Sequence, residues 1–229
     1  MKPATEKKLN ELYNFINNSH FFEQEHKDKI KLKIAEILAC EVNDVKLGNF
    51  DIYNLIDKEE AKLRPFCDAV HYINGYLYAT DTHILLKLKS EYSSELEGKS
   101  IKNDGSEINR KDCTLPNFEN VLQNNFKHYN TRNDFTIDFD KVSTCLKQAK
   151  AHKKIYKKIA KCCFKLNDVY VDVFLFEKFC KVLKHFDVNT IKIGDKTQII
   201  MAKNHVFELM LCPIYPPDKI EDNILILDL

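Results

Sequence analysis

Residues Tyr72 to Lys89, which read YINGYLYATDTHILLKLK, decide the fold of this 229-residue chain. Asn74 and Gly75 separate two short runs of alternating apolar and β-favouring residues. Both residues tolerate the positive φ angles of a tight turn, so the pattern predicts a two-residue β-hairpin. A polar cluster then interrupts the chain, and Ile84–Lys89 predicts a further strand. On pattern alone, the stretch is an antiparallel meander.

Composition and charge are those of an ordinary globular protein. Hydrophobic residues make up 44% and charged residues 30%, and the length suffices for one large domain or two small ones. Lys and Arg number 35 against 34 Asp and Glu, so nucleic-acid binding requires local clustering of charge. The apolar runs are too short to span a bilayer, and no secretory signal is visible. We expect a cytoplasmic protein with no membrane partner.

The cysteines indicate reduced thiols. None of the eight belongs to a CxxC pair, and only Cys162 and Cys163 are close in sequence. Several lie among apolar neighbours, where free Cys behaves as a small hydrophobic residue. His152 with these two thiols would be a conceivable zinc site, but the spacing fits no common one. We expect no disulfide framework, no metal site and no cofactor.

Enzyme motifs are lacking in the sequence. There is no phosphate-binding Gly-rich loop, and 5 Gly leave little material for one. Neither Gly-x-Ser-x-Gly nor His-Glu-x-x-His occurs. Asp81, Thr82 and His83 bring an acid, a hydroxyl and an imidazole together, which leaves a small hydrolase as one alternative. No nucleophile or metal set accompanies them, and we expect a protein that is not an enzyme.

The residues after the hairpin resemble a signature of the bacterial DNA polymerase sliding clamp, the β subunit. The family pattern is Ala-Thr-Asp-Gly-His-Arg-Leu. Thr82 stands here in place of the Gly, and Ile84 in place of the Arg. The positions that match are Ala79, Thr80, Asp81, His83 and Leu85.

Two later segments resemble the same family in the same order. Leu115–Leu122 is similar to the clamp's inter-domain strand, Phe-Pro-Asp-Tyr-Arg-x-Val-Leu-Pro; a Pro-led loop entering a short helix is the alternative. Val171–Ile214 predicts a helix and three strands. This stretch ends in Cys-Pro-Ile where the last clamp domain ends in Met-Pro-Met.

The resemblance implies a peptide-binding groove. In the clamp family these three segments meet in space and receive short linear peptides from polymerases and repair proteins. A mostly apolar depression of this kind accepts Leu or Phe anchors. Carried over position by position, the groove residues are Thr80, Thr82, His83, Leu85, Pro116, Val121, Met210, Cys212, Pro213 and Ile214.

A lysine-rich stretch, Asp140–Lys161, predicts a helix of about six turns with one apolar and one basic face. No acidic residue lies between Lys141 and Lys161. Such a stripe suits phosphate contact rather than base readout, although a solvated surface is the alternative. The resemblance agrees, because the first helix of each clamp domain faces the duplex. The predicted DNA-contacting residues are Lys147, Lys150, Lys154, Lys157, Lys158 and Lys161.

The sequence thus predicts an α+β fold of trimmed DNA-clamp-like units, each a helix plus antiparallel strands. We expect a helical extension at 1–46, a trimmed clamp-like domain at 47–128 and a clamp-like C-terminal domain at 129–229. The expected function is non-specific binding of duplex DNA and recruitment of replication or repair partners, with homo-oligomerisation left open. The alternative is a clamp-derived scaffold or regulator that does not bind DNA. The apolar tail, 223–229, should be buried as an added strand on its own sheet or on a neighbour's edge.

Overall fold

The computed structural model describes residues 46–47, 50–56, 59–90, 92–109, 111, 113–127, 129–157, 161–193, 199–214 and 224–229. The helical extension predicted at 1–46 lies outside these ranges apart from Lys46. That residue belongs to β1 (Lys46–Leu47), which pairs with β2 (Phe50–Asp51) in a short antiparallel ladder. No described helix is long and apolar enough to cross a membrane.

An eight-stranded antiparallel sheet forms the centre of the fold. Its strands are β3 (Ala69–Ile73), β4 (Tyr76–Thr80), β5 (Ile84–Lys89), β6 (Ser100–Lys102), β7 (Asn133–Thr136), β10 (Thr190–Ile193), β11 (Ile200–Lys203) and β12 (Phe207–Leu211). The order is β6-β3-β4-β5-β12-β11-β10-β7, so the two halves of the chain meet where β5 pairs with β12. The sheet therefore contains strands from both sides of the domain boundary predicted between 128 and 129. The division into two domains at that boundary remains a prediction.

A three-stranded sheet and three described α-helices complete the α+β fold. The small sheet has the order β13-β8-β9, with β8 (Lys161–Leu166), β9 (Val169–Asp172) and β13 (Ile224–Asp228). The helices are α1 (Phe118–Phe126), α2 (Phe139–Tyr156) and α3 (Val173–His185). β13 pairs in parallel with β8, so of the two alternatives for the C-terminal tail the structure has the added strand on its own sheet. The expected burial holds for Leu227 alone among the described tail residues, since Ile226 and Asp228 are exposed.

The predicted hairpin is confirmed. Asn74 and Gly75 have φ angles of 52° and 78°, and Ile73 pairs with Tyr76 across the turn. Two successive positive φ angles give the turn a twist that matches the right-handed twist of the flanking strands. β5 follows where the sequence predicted it, and the meander β3-β4-β5 forms one half of the main sheet.

The larger core lies between one face of the main sheet and a layer made of α2, α3 and the small sheet. Alternate residues of each strand point into it, as period-2 geometry requires. Three phenylalanines are fully buried there: Phe164, Phe176 and Phe179. The ring centroid of Phe176 lies 5.4 Å from that of Phe164 and 5.9 Å from that of Phe179. Burial of each such ring stabilises the fold by about 1.5–3 kcal/mol.

The opposite face of the main sheet carries α1. Phe118 and Leu122 of this helix pack on Leu85 and Met210, which point away from the larger core. The Phe118 ring also stacks on Tyr78 at 5.4 Å. The two cores therefore sit on opposite sides of one sheet.

The strand implied at Leu115–Leu122 is wrong, and the alternative interpretation is correct. Residues 113–117 form a loop that enters α1, and the Asn117 side chain caps the helix by accepting a hydrogen bond from the Asn120 N–H at 2.9 Å. The strand that begins at Phe50 ends at Asp51, because a 3₁₀ turn begins at Ile52.

The long lysine-rich helix ends earlier than predicted. α2 stops at Tyr156, and Lys157 has a φ of 53°, which no α-helix accommodates. Lys161 begins strand β8, which pairs with β9 on one side and β13 on the other. Two ladders of backbone hydrogen bonds outweigh the helix propensity of this Lys- and Ala-containing stretch.

Candidate functional site: a basic two-helix surface and the β4–β5 loop

α2 and α3 contact each other on the outside of the larger core. α2 contains five lysines against Asp140 as its only acid, and α3 contains three lysines against Glu177. The pair therefore carries +6, whereas the whole chain carries +1. Positive and negative charges nearly cancel over the whole chain, but positive charge is in excess on these two helices.

The predicted lysines are placed as follows. Lys147, Lys150 and Lys154 are exposed on α2, and Lys157 is exposed at its C-terminal cap. Lys161 is exposed at the start of β8, so it belongs to a strand and not to the helix. Lys158 lies outside the described residues.

The expectation that the stripe lacks counter-charge holds within α2 but not across the helix pair. Glu177 of α3 places Oε1 3.0 Å from Nζ of Lys150 and 3.9 Å from Nζ of Lys181. The side chain of Glu177 is only 22% exposed, so water screens the pairs incompletely. Among the described residues, neither Lys147 nor Lys154 has an acidic ion-pair partner.

The predicted set omitted the lysines of α3 and also Lys141 and Lys153 of α2. Lys181 and Lys184 are exposed on α3, and Lys184 lies 4.9 Å over the ring of Phe139 at the start of α2. Lysines three positions apart along a predicted helix were a usable signal, since such residues share one side. Lys178 has the same three-residue spacing, but its ammonium group pairs with Asp81.

The β4–β5 loop is held by Asp81, which is only 1% exposed. Its Oδ1 accepts hydrogen bonds from the N–H groups of His83 and Ile84 at 3.0 and 2.8 Å. Its Oδ2 accepts one from Nζ of Lys178 at 3.0 Å. The carboxylate is committed to the loop and to α3, which weighs against the hydrolase alternative.

The same loop has a left-handed turn residue. Thr82 has a φ of 76°, and its N–H donates to the Thr80 hydroxyl at 3.0 Å. That hydroxyl donates in turn to the carbonyl of Ile84 at 2.7 Å. A β-branched residue at positive φ is uncommon, and the surrounding hydrogen bonds hold it there.

Most of the predicted groove segments come together. Met210 pairs with Leu85 across β12 and β5, and the Cys212 N–H donates to the carbonyl of His83 at 2.8 Å. Thr80, Leu85 and Met210 are buried, so a peptide could not touch them without movement of their neighbours. Ile214 turns to the small sheet, where it bridges Tyr170. The accessible residues are Thr82, His83, Val121, Cys212 and Pro213.

Pro116 is also accessible, but it lies apart from the β4–β5 loop. It lines a separate cavity of about 380 Å³ together with Tyr76, Lys87 and Glu119. Glu119 and Val121 are about 200° apart around α1 at 3.6 residues per turn, so they lie on opposite flanks of the helix. Pro116 lies on the same flank of α1 as Glu119, because both line this cavity.

An ionic contact attaches α1 to the sheet on that flank. Glu119 Oε2 accepts hydrogen bonds from Nζ of Lys87 at 2.7 Å and from the Tyr78 hydroxyl at 2.9 Å. Burial alone would raise the pKa of Glu119, but these hydrogen bonds outweigh it and hold the pKa below its usual value.

We expect the Lys87–Glu119 contact to contribute stability above about pH 4.3, the usual Glu value, and to lose it as the pH falls through the lowered folded pKa. The Glu119 side chain is partly exposed, so the contribution is below about 1 kcal/mol. Urea unfolding of the wild type and Glu119→Gln at several pH values measures it. The difference between the two proteins should shrink on acidification, and a constant difference would contradict the assignment.

A zinc site at His152, Cys162 and Cys163 finds no support in the geometry. The Cys162 thiol lies 3.5 Å from Nδ1 of His152, but burial raises the pKa of both thiols, that of Cys163 to about 11. Within the described residues, no group of three or more His, Cys, Asp or Glu side chains is arranged to hold a metal ion.

No family model, curated protein or solved structure matches this chain.

Proposed function

We propose that this protein is a sliding-clamp-like, DNA-associated factor. It binds duplex DNA without sequence preference through the lysines of α2 and α3, and it receives peptides of replication or repair proteins beside the β4–β5 loop. The observation that carries the proposal is the concentration of +6 on two adjacent helices in a chain of net charge +1.

The order of elements supports the clamp-like interpretation. From Asn133 to Leu211 the described chain runs β7-α2-β8-β9-α3-β10-β11-β12, which is two units of a helix with strands. Clamp domains are built from two such units. Both helices lie on one side of the main sheet, which is the arrangement that lets clamp helices face a duplex.

Lysine chemistry explains the expected mode of binding. Each ammonium that contacts a phosphate releases a condensed counterion, so the affinity depends steeply on salt and little on base sequence. With about six contacts, a plot of log K against log salt should have a slope of about −5.

The proposed peptide site uses the predicted groove residues that remain accessible. Val121 is 36% exposed on α1. His83 directly precedes β5 and Pro213 shortly follows β12, at the end of the ladder where Ile84 pairs with Leu211. An apolar surface flanked by an imidazole suits a Leu or Phe anchor with one polar contact.

Fluorescence anisotropy with a labelled duplex, titrated at several salt concentrations and with several base sequences, tests the DNA proposal. We expect sequence-independent binding that weakens with the predicted slope. Absence of binding at low salt would refute it and would favour the second candidate, a clamp-derived scaffold that binds peptides only. Neutralisation of Lys150 by Glu177 is the observation that favours that candidate.

Glu177→Gln should tighten duplex binding by up to about tenfold at low salt, because it frees Lys150 and Lys181 for one further phosphate contact. The same anisotropy titration measures the change. Glu95→Gln removes an exposed acid elsewhere and serves as the matched control. Equal effects of the two substitutions would mean that only the net charge matters.

A further inference from the structure

We propose that β13 is the contact between two copies of this chain, which pair antiparallel through this strand about a two-fold axis. This inference concerns self-association and does not depend on DNA binding. The occupant of the β13 edge is thus a second copy of the same strand.

Among the described strands, β13 is the outer strand of the small sheet, and it pairs on its inner side with β8. Its sequence, ILILD, is strongly β-forming and apolar. Leu225 and Leu227 point into the larger core, whereas Ile226 is 39% exposed. An apolar edge strand is a template for pairing with another chain.

The other sheet edges in the described part of the chain are protected. β6 has only three residues, and Ile101 also bridges Glu107. β7 carries the charged Asp134, which pairs with Lys192. β9 is bridged by Ile214. These are usual devices against edge pairing. On β13 the one charged residue is Asp228 at the end of the strand, and no other described strand pairs with its outer edge.

The strand is complementary to itself. Antiparallel pairing centred on Ile226 sets Ile226 against its copy and Ile224 against Asp228 of the other chain. The two Asp228 side chains then lie about four residues apart along the pair, roughly 13 Å, which limits their repulsion. Such an isologous contact closes as a dimer with a continuous six-stranded sheet.

The mass in solution, measured by sedimentation or light scattering across the micromolar range without DNA, tests the proposal. We expect twice 26.8 kDa for the wild type and the monomer mass for Ile226→Lys. Ile155→Lys, at a side chain 71% exposed on α2, is the control and should leave the dimer unchanged. A monomeric wild type, or a dimer that survives Ile226→Lys, would overturn the proposal.

Disulfide cross-linking tests where the two-fold axis of the proposed dimer lies. Opposed residues in an antiparallel pair have Cα atoms about 4.5–5.5 Å apart, a span that a disulfide bridges. Ile226→Cys should therefore oxidise to a covalent dimer, and Ile155→Cys should not. Ile155→Cys carries the same native thiols and therefore measures their background. Cross-linking of Ile155→Cys alone would place the contact elsewhere and refute the β13 assignment.

Discussion

Replacement of Lys147, Lys154 and Lys181 by Glu together should weaken duplex binding on the order of a thousandfold at low salt. Each lost phosphate contact costs about tenfold under those conditions, and the salt slope should fall by about 3. Lys147 and Lys154 have no acidic ion-pair partner among the described residues, and Lys181 lies 3.9 Å from Glu177, farther than Lys150 at 3.0 Å. Lys157 is left unchanged because it caps α2 with a positive φ.

The matched control reverses the same number of exposed lysines elsewhere, at Lys89, Lys111 and Lys127. Both triple variants change the net charge equally, so they separate a specific surface from the overall field of the protein. Anisotropy titrations should show near wild-type binding for the control. Equal weakening in the two variants would refute a dedicated surface on α2 and α3.

Asp81→Ala should lower the free energy of unfolding by about 3 kcal/mol. The substitution leaves the N–H groups of His83 and Ile84 without their acceptor and removes the partner of Lys178. Lys178 is partly exposed and can turn to water, so the loss is smaller than for a fully buried pair. Urea denaturation followed by circular dichroism measures it.

Two further variants isolate the cause. Asp81→Asn keeps an oxygen acceptor for the two N–H groups and loses only the charge, so it should cost about 1 kcal/mol. Glu95→Ala, at an exposed acid, should change stability by less than about 0.5 kcal/mol. If Asp81→Ala unfolds at the same urea concentration as the wild type, the carboxylate does not hold the β4–β5 loop.

The sequence by itself determined the elements whose signals are local. Asn74 and Gly75 fixed the hairpin, because their tolerance of positive φ is a property of the residues themselves. The helix in the Val171–Ile214 stretch was predictable from apolar residues at three- and four-residue spacing, and Asp172 caps its start. The apolar tail predicted an added strand, but its pairing with β8 rather than with a neighbouring chain was decided by the tertiary structure.

The tertiary structure alone decided which distant groups meet. Asp81 and Lys178 are 97 positions apart, and Lys150 and Glu177 are 27 apart, so no local pattern could pair them. The end of α2 at Tyr156 likewise depends on strands β9 and β13, which β8 joins. Turn preferences and periodicity act between neighbours, whereas charge pairing and competition between helix and strand depend on the packing of the whole chain.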